Sequence, residues 1–232
     1  MYKQLAKWLV GIVVVFIVIV AIFQAYLFAQ LIWMRSHNPE MTAFMDARLS
    51  TMRESKSSAK LLFVWVSYDK ISNNLKRAVL TSEDDKFVDH DGFDWEGIQQ
   101  ALEKNERRGK VVAGGSTISQ QLAKNLFLSG ERSLVRKAQE AAITIMMEAL
   151  MDKQRIFEIY LNVVEWGDGV FGAEAAARHY FGTNAAQLNP LQAARLAAML
   201  PRPRFFDKNR NFPYLARRAE SIEKRMYLAQ LP

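Results

Sequence analysis

Cysteine is absent from the 232 residues, which excludes disulfides and any zinc site built on thiolates. That absence suits an oxidising compartment. Histidine is nearly absent. There are three, His37, His90 and His179, and no two stand at the i, i+4 spacing of a helical metal pair. Strand signals are few, and no internal repeat or low-complexity tract occurs, so the expected fold is mainly α. None of the usual nucleic-acid modules is present, and the G-x-x-x-x-G-K-[ST] of a nucleotide-binding loop is missing. Neither nucleic acid nor ATP is implied.

Charge is absent from Leu9 to Ile32, which reads LVGIVVVFIVIVAIFQAYLFAQLI. At about 1.5 Å per residue this is a helix of roughly 36 Å, against about 30 Å for a bilayer core. Trp8 and Trp33 bracket it as interfacial aromatics would. A cleaved signal peptide would carry a shorter apolar region, about 7–15 residues, so an uncleaved anchor is the expectation. Lys3 and Lys7 precede the run, and Glu40 and Asp46 follow Arg35. That bias places the N-terminus in the cytoplasm and the body outside. The expected order is a cytoplasmic segment over 1–8, an anchor over 9–33, a juxtamembrane connector over 34–60 and one domain over 61–232. The net charge of +7 and a pI near 9.6 suit anionic partners. On a membrane-anchored chain these are lipid headgroups or a lipid-linked phosphate.

Within the domain, Leu61 to Val66 is a short buried run, strand or extended. Ser72 to Ser82, Trp95 to Arg107, Leu134 to Met151 and Tyr214 to Leu228 have helical spacing. So does the Ala-rich Gly172 to Phe181. Thr117 with Gln120 three residues on reads as a capping box, Asp152 as the start of a helix, and Pro190 as a first-turn proline. Residues 107–115 form a basic, Gly-bearing loop suited to gating.

Two segments carry the chemistry. Glu83, Asp84, Asp85, Asp89, Asp91 and Asp94 surround Phe87 and His90. Glu83 is either a general base or one of several acids offsetting a helix dipole. His90 reads as a structural residue that holds the acidic loop rather than as a ligand. Gly114 to Gln121 is either a phosphate cradle, with Gly-exposed amides at a helix start, or an ordinary capped loop. Thr117, Gln120 or Gln121, and Lys124 can share a face. Arg136, Lys137 and Glu140 are either a surface ion pair or a carboxylate among cations in a cleft. Ser57-Ser58-Ala59-Lys60 fits S-x-x-K, and Ser72-Asn73-Asn74 a serine–asparagine motif, but no K-T-G follows and both are chance.

Taken in order, five segments resemble the peptidoglycan glycosyltransferase domain, glycosyltransferase family fifty-one, over roughly residues 60–205. They are Glu83-Asp84 with Phe87, His90, Gly92 and Asp94; Gly115-Ser116-Thr117-Ile118 with Gln120-Gln121, Lys124 and Asn125; Arg136-Lys137 with Glu140; Lys153, Ile156, Glu158 and Tyr160-Leu161-Asn162; and Gly172, Ala175-Ala176 and Tyr180-Phe181-Gly182. An anchor with no transpeptidase domain after it resembles the monofunctional members from Gram-negative bacteria. Thr183 and Gln192 depart from the residues common in the family, Lys and Glu.

The resemblance implies a lysozyme-like, two-lobed helical domain behind one transmembrane helix, in the bacterial inner membrane, with the catalytic domain periplasmic. It implies polymerisation of lipid II into β-1,4 glycan strands and release of undecaprenyl diphosphate. Glu83 and Glu140 are then the catalytic carboxylates. Asp84, Phe87 and His90 would shape the acceptor site. Ser116, Thr117, Gln120, Gln121, Lys124, Asn125, Arg136 and Lys137 would bind substrate. Glu140 is a candidate ligand for a divalent cation, Mg²⁺ or Mn²⁺, and no organic cofactor is expected. Membrane lipids, other cell-wall synthases and division proteins are candidate partners. The rival readings are a lytic enzyme acting on the same glycan and an inactive assembly scaffold. The cation set of Lys124, Arg136 and Lys137 argues against the first, since cleavage needs no diphosphate site.

Overall fold

The computed structural model describes residues 2–110, 114–128, 130–131 and 133–232. The chain divides into two compact units between Asn38 and Pro39. The first unit is α1, Tyr2–Met34. Its segment Ala6–Met34 has a mean hydropathy of 2.9 and is long and apolar enough to cross a membrane. Helix extends beyond the expected 9–33 at both ends, and Lys3, Gln4 and Lys7 on its N-terminal side are good helix formers.

The second unit is mainly helical. Helix α2, Ala43–Ser55, is capped by Thr42, whose Oγ1 accepts from the Met45 amide. It lies inside the stretch read as connector, and its Met45 is buried in the unit. Helix α3, Asn73–Glu83, is capped by Ser72, half of the chance serine–asparagine match. Helix α4 covers Trp95–Arg108 and stops at Gly109, which takes the left-handed conformation at φ +61. Helix α5, Ile118–Phe127, opens on the expected capping box, with Thr117 and Gln120 reciprocally bonded. Helices α6, Leu134–Leu150, and α7, Lys153–Val163, follow. Then come α8, Ala173–Phe181, and α9, Pro190–Met199, with its first-turn proline. Helices α10, Pro203–Lys208, and α11, Pro213–Arg225, end the series.

The Leu61 to Val66 run contributes only a two-residue strand, β1, Leu62–Phe63. It pairs in parallel with β3, Val170–Phe171, Leu62 against Val170 and Phe63 against Phe171. Strand β2, Glu165–Gly167, pairs antiparallel on the other side of β3, giving the order β1-β3-β2. An Asp168-Gly169 turn with Gly169 at φ +75 joins β2 to β3. Strands of two and three residues are too short to leave an alternating pattern, so the β2–β3 hairpin had no sequence signal beyond that turn.

Helix α9 is the axis against which α3 and α11 pack. It turns Ala193, Ala194, Ala197 and Ala198 inward, and these small residues let the backbones of α3 and α11 approach. Leu75, Val79, Leu215 and Ile222 fill the seam, all essentially without exposure. Helix α5 packs on α2, α6 and α7. These two groups place the C-terminus of α3 beside the N-terminal half of α5. Asn162, from the fourth motif, clasps the chain after β1, accepting from the Val66 amide and donating to the Val66 carbonyl, both at 2.9 Å. Glu158 accepts from the Tyr68 amide.

Candidate active site

Glu83 is the last residue of α3, and Asp84 follows as its C-cap. An acid at that end faces the negative pole of the helix dipole, so the dipole reading of Glu83 fails. Something else must hold this carboxylate, and side chains do. Gln121 on α5 donates from Nε2 to Glu83 Oε2 at 3.1 Å. Ser82 Oγ lies 3.2 Å from Glu83 Oε1. Tyr160, fully buried on α7, donates its hydroxyl to Gln121 Oε1 at 3.0 Å. That contact fixes the Gln121 amide so that its NH₂ end faces Glu83. Arg218 on α11 reaches the carbonyl and the hydroxyl of Ser82 at 3.3 and 3.4 Å.

Burial raises the Glu83 carboxyl above the ordinary glutamate range. The bonds from Gln121 and Ser82 and the charge of Arg218 oppose this, and the charge of Asp84 adds to it. The same setting keeps Tyr160 protonated. Burial first, then the charges of Glu83 and Asp84, push its phenol well above the usual range.

Asp84 has a different task. Its Oδ2 accepts from the amide of Ile118, and its Oδ1 pairs with His90 Nε2 at 3.0 Å. The Gly92 amide donates to His90 Nδ1, which assigns the proton to Nε2. Thr117 Oγ1 donates to the Gly92 carbonyl at 2.7 Å. The acidic loop is thereby sewn to the start of α5, the structural role expected for His90. Gly92 sits at φ +88, and a Cβ there would lie 2.7 Å from Thr144 Cγ2. Phe87 is buried against Phe157 and His90, with the Lys153 ammonium over its ring. Phe87 and His90 therefore stand behind the site wall and brace Asp84.

The amides at Ile118 and Gln120 that a phosphate cradle would offer are already taken, by Asp84 and by Thr117 Oγ1. Gln120 returns its side chain to the Thr117 amide, and Gln120 and Asn125 are buried on α5. The capped-loop reading holds for this helix start. Gly114, Gly115 and Ser116 remain open. They line a cavity of about 270 Å³ with Glu83, Asp84, Asp94, Thr117, Arg218 and Arg225. A second cavity of about 430 Å³ is lined by Glu83, Gln121, Ser116, Lys104, Pro201, Tyr214 and Arg218. Ser82, Glu83, Gly114, Ser116 and Arg218 belong to both walls. Of the loop expected over 107–115, residues 111–113 lie outside the described residues.

Glu140 is buried on α6, where Arg136 Nη1 donates to its Oε2 at 2.6 Å and Lys137 donates to its Oε1. The motif is thus a carboxylate among cations and not a surface pair. Lys124 faces the same group. Burial lowers its ammonium from the usual lysine range, Glu140 pulls it back up, and Arg136 and Lys137 push it further down. Both Glu140 oxygens are occupied by cations, and among the described residues no group of three or more His, Asp or Glu is placed to hold a metal ion. This donor set does not fit a divalent cation; its positive charges fit an anion such as a diphosphate.

Sequence reading overlooked Arg218 and Arg225. Both sit on α11, beyond the last motif, and only the packing of α11 on α9 and α3 brings them to Glu83. The arginine pair at 217–218 carries no spacing that marks one member as functional. Among the basic residues after Leu200, Arg204 pairs with Glu165 and Arg210 with Asp207.

A sequence model of the Transglycosylase family matches residues 50–227. A biosynthetic peptidoglycan transglycosylase of Herminiimonas arsenicoxydans is 58% identical over 230 residues, covering 99% of this chain and 100% of the relative. The proteins of the same name from Janthinobacterium sp. (strain Marseille) and Azoarcus sp. (strain BH72) are 58% and 56% identical, each over 99% of this chain and over 100% and 99% of the relative.

Proposed function

The chain belongs to the transglycosylase family, and from that premise we propose that it polymerises lipid II into the β-1,4 glycan strands of peptidoglycan. The observation that carries the mechanism is Glu83, a half-buried carboxylate bonded by Gln121 and Ser82 in the wall shared by two adjoining cavities. The two cavities are assigned to the acceptor and donor sugars, with the donor's diphosphate reaching beyond them to Lys124, Arg136 and Lys137, which line neither wall. Glu83 removes the proton from the acceptor 4-hydroxyl. That oxygen attacks the anomeric carbon of the donor, the carbon–oxygen bond to the diphosphate breaks, and the α linkage inverts to β. A raised pKa makes Glu83 a stronger base than an ordinary carboxylate.

The leaving diphosphate keeps the electron pair and needs positive charge more than a proton. Lys124, Arg136 and Lys137 supply it as charges in place before the reaction, Lys137 from a half-exposed position. Glu140 aligns Arg136 and Lys137 and prevents them from swinging to solvent. No step needs a metal ion bound by these residues. Lys3 and Lys7 ahead of the apolar run support a cytoplasmic N-terminus, with helix α1 as the inner-membrane anchor and the catalytic unit on the periplasmic side. Confinement to the surface that holds both lipid-linked substrates raises their effective concentration. Membrane lipids and other cell-wall synthases are the partners this location offers.

Polymerisation of purified lipid II by the detergent-solubilised protein, with and without Glu83→Gln, tests the reading. Strands from the wild type alone are expected. Strands from both proteins would remove Glu83 from the role of base. Cleavage of preformed glycan, with no strands made, would replace synthesis by lysis.

A further inference from the structure

We propose that Phe44, in the first turn of α2, is a positioning residue that aims Lys124 at the leaving diphosphate through its ring face. Of the three cations in the cluster, Arg136 and Lys137 are held by Glu140. Lys124 has no hydrogen-bond or ion-pair partner among the described residues. Its ammonium instead lies 5.3 Å from the centroid of the Phe44 ring, within reach of a cation–π attraction. A lysine head on a four-carbon stem is otherwise free to move among many rotamers.

The helix that carries the ring is held in place. Helix α2 packs on α5. Met45, next to Phe44, is buried. Arg48, one turn on, is ion-paired to Asp168, with its Nε 3.8 Å from Glu165. The side chain of Met52 lies where a Cβ on Gly169 would fall, 2.8 Å away. Phe44 itself precedes residue 50, where the family match begins. The juxtamembrane helix therefore supplies part of the cation cluster's wall.

An aromatic ring suits this task better than an acid would. A carboxylate beside Lys124 would orient it but cancel its charge and occupy its N–H donors. The ring face attracts the ammonium and leaves the full positive charge and the outward N–H groups for an incoming anion. The lowered Lys124 pKa, which arises first from burial, agrees with a dry contact.

This inference rests on the reading of Lys124 as a diphosphate cation, so the test separates the two. Full-length protein in detergent is assayed for kcat and KM on lipid II. The variants are Lys124→Ala, Phe44→Leu, Phe44→Trp and a series with mono-, di- and trifluorophenylalanine at position 44. Fluorination weakens the ring quadrupole while nearly keeping its size, so a folding defect cannot imitate its effect. In parallel, the rate at which an amine-reactive acylating reagent modifies Lys124 is followed by peptide mapping. Phe44→Leu should lower kcat about tenfold, with a smaller change in KM, while Phe44→Trp stays within about twofold of wild type. The fluorinated series should fall stepwise in kcat, and Lys124 should acylate faster in Phe44→Leu. Activity flat across the series, with unchanged acylation of Lys124, would overturn the role of Phe44 even if Lys124→Ala is impaired. Full activity in Lys124→Ala would overturn both the reading and the inference.

Discussion

Replacing Glu83 by Gln should make the protein more stable at neutral and alkaline pH while removing its activity. The carboxylate ends α3, where the last carbonyls carry about half a negative charge. It accepts bonds from Gln121 and Ser82, and bonds to a charged group are worth about 1.5–3 kcal/mol each. Its carboxyl is nevertheless raised, so the loss of hydration outweighs those bonds and the charge of Arg218 together. Every pKa unit of raising represents about 1.4 kcal/mol of penalty on the ionised form. The sign follows from linkage. The folded chain holds this proton more tightly than the unfolded chain. The stability it contributes is complete below the ordinary glutamate range, near pH 4, and is lost as pH rises through the folded value.

The Gln side chain has the same shape and can keep both bonds. Its oxygen can accept from Gln121, and its NH₂ can donate to Ser82 Oγ, which then donates to the Ala197 carbonyl 3.3 Å away. The expected gain at pH 8 is on the order of 1 kcal/mol, or about 2–4 °C in a domain of this size, shrinking to nothing near pH 4. Thermal unfolding of both proteins by circular dichroism between pH 4 and pH 8 measures this. A variant that melts below the wild type at pH 8, or a difference independent of pH, would refute the account of Glu83 as a carboxylate held at a cost in stability.

Gln121→Leu removes a bond that lowers the Glu83 pKa, so the acidic limb of the pH–rate profile should move to higher pH, with lower kcat at neutral pH. An unmoved limb would detach Gln121 from the base. Arg136→Ala leaves buried Glu140 with one partner, and breaking a buried pair costs about 3–5 kcal/mol; chemical denaturation should show a loss of that order, reduced in the double variant with Glu140→Gln. Gly92→Ala forces a Cβ onto Thr144 at a positive φ, and should destabilise by more than about 1 kcal/mol. A neutral result in thermal melts would show that the acidic loop is looser than its hydrogen bonds imply.

Much of this was legible in the sequence because it depends on neighbours along the chain. The capping box at Thr117 and Gln120, the cap at Asp152 and the proline at Pro190 are local, and the structure places them as read. Helices α3, α4, α6 and α11 appeared through their apolar spacing to within a few residues. Helix α2 fell within the stretch read as connector, because it anchors through Met45, Arg48 and Met52 rather than through a broad apolar stripe. The β2–β3 hairpin escaped because its strands are shorter than any periodic signal.

The roles of the polar residues were decided differently. The sequence by itself determined a long apolar helix, a mainly helical unit, and the presence of Glu83 and Glu140 among acids and cations in a recognisable order. Only the tertiary structure decided that Glu83 is bonded by Gln121 in a cavity wall, and that Asp84, Phe87 and His90 form a brace. It alone brought Arg218 to the cavity and Phe44 over Lys124. The physical reason is that dipole, capping and apolar periodicity are set within a few turns of chain. Burial, and with it the strength of a charge, is set by whatever other segments exclude the water.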